Sequence, residues 1–440
     1  MASKAYLVLH ELSVHLRSSA VHFSFGSTIS LPRIPIRMHH SERSLIRGGF
    51  ASRAIGLGFI LATCAPLGAQ TARLLNEPLD ISGDFQSFTN VYFLADSLDE
   101  FDPATGTGKV KYQRNMRTTA HAFDNTLSAV KASPGNEFPE IEYAADPSLP
   151  FSVEFVTPRT VRIRMATGPA GKEAESLMLA GPVPKDASWK YEPTATGHSY
   201  NSAAGSVTIF ENPWRIELRD PSGRLLTQTD HAKDHSTTFS KLLPFSFIRR
   251  GSDYSRSVNP VFKLSPGEKI FGCGESFTEF DKRGQKVVLW TTDANGVQNR
   301  AMYKPIPFFM SSAGYGMFLH TSTPVTCDFG HSFSEQNSIM LGDDELDLFV
   351  FLGNPEEVLN EYTNLTGKSP VPPLWSFGLW MSRCTYLSEE QVREVAGKLR
   401  TNNIPCDVLH LDTGWFETDW RCDYKFSKNR FPAPEKMIQD

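Results

Sequence analysis

Between Pro372 and Asp412 the residues spell strand, helix, strand, and that order restricts the fold more than any other stretch. Pro372-Pro373-Leu374-Trp375-Ser376-Phe377-Gly378-Leu379-Trp380 is a bounded apolar run entered through prolines, and it predicts a buried strand. Ser388 then suits a helix N-cap. Gln391 completes a capping box, and Glu389 and Glu390 sit at the positive end of the helix dipole. Val392, Val395, Ala396 and Leu399 form one apolar stripe that must lie against something, and one flank of it is expected to stay exposed. Asn402-Asn403 and Pro405 end the helix. Val408-Leu409-His410-Leu411 reads as a second strand, with His410 as a satisfied core histidine and Asp412 at the C-terminal end. Two parallel strands joined by a right-handed crossover helix are the unit of parallel sheets and (β/α)8 barrels.

In such sheets the C-terminal strand ends face the ligand, because the turns there carry no core duty. That places Asp412, Trp415 and Trp380 at a candidate site, against the plainer reading of Asp412 as a capping or loop carboxylate. Asp412-Thr413-Gly414-Trp415-Phe416-Glu417-Thr418-Asp419-Trp420 mixes carboxylates with indoles. Sugar recognition needs that mixture: carboxylates accept from hydroxyls, and indole faces cover the apolar side of the ring. Asp412 with Glu417 or Asp419 offers a pair of acids. All three share one loop, however, whereas barrel catalysts usually come from different strands.

The β-α-β unit arrives late in a chain of 440 residues, long enough for two or more domains. From Gln70 to about Lys368 short alternating runs are separated by Gly, Pro, Asn and Asp, the pattern of an all-β sandwich. Val161-Arg162-Ile163-Arg164-Met165 alternates, so its arginines face out or pair. Trp214-Arg215-Ile216-Glu217-Leu218 alternates too, and Asp220-Pro221-Ser222-Gly223 turns it into Leu225-Leu226. Ser206 to Phe210 and Leu346 to Leu352 are further strands, while Leu98 to Lys109 and Asp230 to Thr238 read as long loops. Asn354 caps a helix with Pro355 in its first turn, reaching Tyr362, and Thr363 to Pro370 is the linker. Strands first and β-α units afterwards mean separate domains.

A net charge of −5 disfavours nucleic acid. The 11% aromatic content fits sugar stacking, though β-sandwich cores are also rich in Phe. Arg43, Arg47 and Arg53 precede the apolar run Ala54 to Ala62 and the small residues before Gln70, the layout of a secretory signal. The run is short for a membrane span. Residues 38–69 are therefore read as a signal peptide, with Met38 as the start and 1–37 as a misassigned extension, for a secreted or periplasmic protein. Leu61-Ala62-Thr63-Cys64 is a weak match to a lipid-anchor site. Of the six cysteines, Cys64 lies in that leader. Cys273, Cys327, Cys384, Cys406 and Cys422 show no metal-ligand spacing and neither require nor exclude a disulfide.

Phe271-Gly272-Cys273-Gly274-Glu275 opens like a dinucleotide loop but lacks the third glycine and the following amphipathic helix. A bend that lets the backbone approach another domain is the better reading. Trp290-Thr291-Thr292-Asp293-Ala294-Asn295-Gly296 offers Trp290 and Asp293 as a site loop, or else a solvated hairpin tip.

Phe271 to Phe277, Tyr303-Lys304-Pro305-Ile306-Pro307-Phe308 followed by Gly314-Tyr315-Gly316, Pro372 to Gly378, and His410-Leu411-Asp412 together resemble glycoside hydrolase family 31, the retaining α-glucosidases, α-xylosidases and relatives. The resemblance covers about Phe88 to the end. It implies a galactose-mutarotase-like β-sandwich over 70–368, then from 369–440 the first β-α-β part of a truncated (β/α)8 barrel. It also implies Asp412 on sugar hydroxyls, Trp380 and Trp415 walling the pocket, and the Trp290 to Gly296 loop reaching over. Xylosidase-like members resemble His-Phe-Asp-Cys-Phe-Trp where this chain has His410-Leu411-Asp412-Thr413-Gly414-Trp415, which leaves glucose, xylose or another α-glycoside open. The family's nucleophile and acid/base are expected on later strands, beyond Asp440. The expectation is an inactive N-terminal portion of an enzyme for α-linked oligosaccharides, needing no cofactor. It would be partnered by a separately encoded C-terminal half or by its own copies. The alternative is a non-catalytic carbohydrate-binding or structural sandwich.

Overall fold

The structure, a computed structural model, describes residues 79–119, 125–129, 146–168, 176–231, 243–292 and 300–440. The leader at 38–69, Cys64, Asp293 and most of the Asp230 to Thr238 stretch lie outside them. No helix among the described residues is long and apolar enough to cross a membrane.

Two antiparallel sheets build the β region. Among the described residues the larger has fifteen strands, running in space Ile270–Gly274, Pro305–Ser311, Tyr315–Leu319, Glu345–Leu352, Thr160–Ala166, Ser148–Thr157, Thr107–Thr119, Val91–Asp102, Ser246–Arg249, Arg256–Asn259, Gln336–Leu341, Val325–Phe329 and Lys286–Leu289, with two short strands paired at its side. The smaller orders Leu225–Gln228, Trp214–Arg219, Gly205–Glu211, Gly197–Ser202 and Lys190–Thr194. Alternation puts Phe93, Val110, Phe151, Val153 and Ile163 of the large sheet against Val207, Ile209, Trp214, Ile216 and Leu218 of the small one. Trp214 is wholly buried and meets Phe151 and Phe245 edge-on at 5.6 and 4.9 Å. Such rings supply much of a sandwich core's burial.

The expected loop from Leu98 to Lys109 is instead the tip of a long hairpin, Val91–Asp102 paired with Thr107–Thr119. Asp102 makes the turn: its carboxylate accepts from Ala104 N at 3.0 Å and its carbonyl from Gly106 N at 2.9 Å. Polar residues on both faces of the protruding arms hide the strand signal. Arg162 does not face solvent; it is buried and paired, as described below.

On the outer face of the large sheet Phe308, Phe318, Phe349 and Phe351 are covered by the helix Pro355–Thr366 through Val358, Tyr362 and Leu365. Asn354 accepts from Glu356 N and Glu357 N, and Asn354 N donates to Glu357, a complete capping box. The helix runs four residues past Tyr362 and stops at Gly367, whose φ of 103° few other residues tolerate. The connection is therefore shorter than Thr363 to Pro370.

Trp380–Ser382 and Val408–His410 pair in parallel across the helix Glu389–Thr401. Ser388 caps this helix by accepting from Gln391 N at 3.2 Å, but the Gln391 side chain reaches one residue further back, to Leu387 N at 2.9 Å. Ser388→Ala is expected to cost about 1 kcal/mol, seen as a lower urea midpoint with an unchanged slope.

The stripe is covered, against expectation: Val392 and Val395 are buried with Tyr386 and Phe431, and Met381, Leu399 and Leu409 close around them. The exposed apolar surface lies elsewhere. Pro372 to Trp380 is not a buried strand; Leu374–Phe377 is a 3-10 turn, and Val371, Leu374 and Phe377 are 94, 88 and 74% exposed. The paired prolines hold the backbone extended without a donor to offer a neighbour, so only Trp380–Ser382 enters a ladder.

Candidate active site

Asp412 stands two residues beyond the second parallel strand, half-buried. Its Oδ1 accepts from Thr413 N at 2.6 Å and starts the 3-10 turn Thr413–Trp415. Oδ2 has no hydrogen-bond partner among the described residues, so one acceptor is available at the strand end. The turn is pinned by Gly414, where a Cβ would sit 1.8 Å from Thr385 Oγ1 and 2.8 Å from Tyr386 O. Behind it Trp415–Glu417 and Lys425–Ser427 zip together through Glu417 N to Lys425 O at 2.7 Å and Ser427 N to Trp415 O at 2.9 Å.

The other expected residues are not all brought here. Trp415 is half-buried, packed on Phe416 and Phe426 with ring centroids at 4.3 and 4.6 Å, so much of its surface serves packing. Trp380 opens its strand in register with Val408, four residues before Asp412. That is roughly 13 Å of strand rise away from the mouth. Its Nε1 donates backwards, to Ser376 O at 2.9 Å. Glu417 accepts from Lys428 N at 3.2 Å and Asp419 pairs with Arg430 at 2.7 Å. Both hold the loop together.

His410 is exposed rather than a core residue, with Nδ1 3.2 Å from Ser382 Oγ across the parallel pair. Ser382 and His410 thus flank the strand end beside Asp412, a pair the sequence reading missed. The cross-strand register that joins them depends on which residue of the apolar run begins the ladder.

Trp290 is half-buried just past the strand Lys286–Leu289, and Thr292 N donates to Met302 O at 2.9 Å. Among the described residues no ring contact or hydrogen bond joins Trp290 to Asp412, Trp380 or Trp415. A cleft of about 780 Å³ that Trp290 does not line is walled by the exposed Phe277 and Phe280 with Arg300 and His331. The glycine bend before Phe277 approaches a strand of its own sheet rather than another domain. Gly272 and Gly274 take φ of 120° and 89° opposite Phe309 and Pro305.

Two family models match, in chain order. Residues 150–328 match the glycosyl hydrolase 31 N-terminal galactose mutarotase-like domain, and 369–440 match the glycosyl hydrolases family 31 TIM-barrel domain. The chain belongs to glycoside hydrolase family 31. Among curated relatives, α-xylosidase XylQ of Lactiplantibacillus pentosus is 35% identical over 223 residues, covering 50% of this chain and 27% of the relative. An α-xylosidase of Emericella nidulans is 38% identical over 194 residues, covering 43% and 25%. A Flavobacterium johnsoniae GH31 dextranase complexed with isomaltotriose shares the fold at a TM-score of 0.59 and 22% identity, over 79% of this chain and 37% of that one. The matches to the two α-xylosidases thus span about a quarter of their length. Within family 31, then, the chain carries a mutarotase-like β domain and the start of the barrel domain.

Proposed function

We propose that this chain forms the sugar-gripping part of a retaining α-glycosidase site, of α-xylosidase or α-glucosidase type, with a β-sandwich domain over 70–368 and the first β-α-β part of a (β/α)8 barrel from 369. The single observation that carries the reading is Asp412. It is a half-buried carboxylate with one oxygen available, at the C-terminal end of the second of two parallel strands. Such a group accepts short charge-assisted hydrogen bonds from sugar hydroxyls. His410 and Ser382 line the same end, and Trp415 stiffens the turn beneath it. Trp290 and Asp293 belong to the sandwich loop that would reach toward the sugar, and the chain would be exported through the leader at 38–69.

Retaining hydrolysis needs two carboxyl groups about 5 Å apart. Glu417 and Asp419 are engaged in their own loop, so we assign the cleaving pair to neither and place it outside residues 79–440. Purified chain is expected to release no aryl alcohol from aryl α-xyloside or aryl α-glucoside. Xylose or glucose binding, read by calorimetry, should weaken about tenfold, or ~1.4 kcal/mol, in Asp412→Ala. Protein-dependent hydrolysis overturns the placing of the acids. Sugar binding indifferent to Asp412→Ala overturns the site and favours a sandwich that binds carbohydrate without cutting it.

A further inference from the structure

A larger cleft, of about 1520 Å³, lies on the sandwich between the outer face of the large sheet and the segment from Ser176 to Trp189. Two neighbouring strands, Ser148–Thr157 and Thr160–Ala166, floor it. Cross-strand register aligns Glu154 with Arg162 and Phe349, and Ser152 with Arg164 and Asp347, so these side chains share the face opposite the core residues Val153, Ile163 and Leu348.

Two charged side chains on this floor have unused hydrogen-bonding capacity. Arg164, 30% exposed at its side chain, has among the described residues one ion pair, to Glu154 at 3.8 Å. Glu154, 34% exposed, has among the described residues that pair and one to Arg162 at 3.6 Å, both beyond hydrogen-bond reach. Among the described residues Glu154 accepts no hydrogen bond and Arg164 donates none. A carboxylate beside a guanidinium with all its donors available suits adjacent hydroxyls, which donate to the one and accept from the other. The wall supplies the complement: Tyr191, 38% exposed, leans on Tyr200, and Phe155 stacks on Trp189 at 4.7 Å. Among the described residues the lining carries Arg162, Arg164 and Lys185 against Glu154 and Asp186, and Arg162 is already neutralised by its pair with Asp347 on the same face. That argues against an anionic ligand. The volume exceeds the roughly 300–1,000 Å³ of a small-molecule pocket.

We propose that this cleft is a second, non-catalytic site that binds a neutral oligosaccharide, with Glu154 and Arg164 on a vicinal diol and Tyr191 under a sugar ring. The inference takes its ligand class from the reading of the chain as carbohydrate-active, but uses no residue of the Asp412 site.

The test titrates isomaltotriose and maltotriose into the full chain by calorimetry. The chains compared are wild type, Asp412→Ala, Tyr191→Ala, Arg164→Ala and Glu154→Gln. One class of trisaccharide site is expected to remain titratable in Asp412→Ala, even where the Asp412 site itself is lost, and to weaken tenfold or more in Tyr191→Ala and Arg164→Ala. Unchanged far-ultraviolet spectra and urea midpoints show that these two variants fold, and Arg164→Lys, with a point charge in place of the fork, should be intermediate. Trisaccharide binding that ignores Tyr191→Ala and Arg164→Ala, or no binding of either trisaccharide by wild type, overturns the proposal. Loss of binding in Asp412→Ala alone also overturns it, while leaving the Asp412 reading intact.

Discussion

Replacing Asp347 with alanine is expected to destabilise the sandwich by about 3–5 kcal/mol, because it takes from a buried guanidinium the carboxylate that accepts two of its hydrogen bonds. Arg162 is 3% exposed at its side chain and donates to Asp347 through Nε and Nη2, both at 2.7 Å. His320 Nδ1 lies 2.7 Å from the same carboxylate, and its Nε2 lies 2.6 Å from Ser176 Oγ. Urea unfolding should show the loss as a lower midpoint. Replacing both partners, Arg162→Met with Asp347→Leu, should recover most of it, since neither charge is then left buried alone. A double variant as unstable as Asp347→Ala would mean that packing, not charge, sets the cost.

The pH dependence has a defined sign. Burial pushes the Asp347 carboxyl up, but the hydrogen bonds and charges of Arg162 and His320 outweigh it and hold the group below the ordinary carboxylate range. A carboxyl lowered on folding contributes stability that is fully present above its unfolded value of about 3.9 and is lost as pH falls through the folded value. The difference in midpoint between wild type and Asp347→Asn should therefore be constant near neutrality and shrink in acid. A difference that widened in acid would contradict the cause assigned here.

Where local chemistry decides an element, the sequence is a sufficient guide. Asn354 and Ser388 both cap as their residue types require, and Val392 and Val395 are buried at the helical spacing that marks them, though the exposed flank expected of their stripe is covered. The parallel pair around that helix follows from the same signals. What the sequence did not disclose depends on partners distant in the chain. The strand Tyr315–Leu319 is buried on both faces, so it carries no alternation to detect. The hydrophobicity of Leu374 to Phe377 is compatible with a strand, and only the prolines and the short ladder show that it is not one. At the candidate site Asp412 was legible from its position after a strand. The offset of Trp380 was not, because a three-residue strand can begin at several points of one apolar run. The Glu154 and Arg164 cleft left no local signal, since its residues come from separate strands that only register aligns.

Gly274→Ala is expected to cost about 3 kcal/mol, the upper end for a residue held in sparsely populated backbone space. Gly272, Cys273 and Gly274 carry φ of 120°, 70° and 89° in succession, where the strand Ile270–Gly274 slips register against Pro305–Ser311. A Cβ on Gly274 would lie 2.1 Å from Lys304 O and 2.7 Å from Ile306 N. Those are backbone atoms of a paired strand, so no rotamer change relieves the contact and the ladder itself must open. Gly284 separates the two contributions. Its φ of 78° is equally left-handed, but nothing lies within 4 Å of its Cβ position. Gly284→Ala should therefore show only the conformational cost, about 1 kcal/mol. Equal losses at the two positions, measured by urea unfolding, would show that the close approach of the two strands adds nothing. A larger loss at Gly274 would give the glycine spacing of Phe271 to Phe277 its physical reason. The paired glycines let one backbone pass against another and so turn Phe277 out toward the cleft it lines with Phe280, Arg300 and His331.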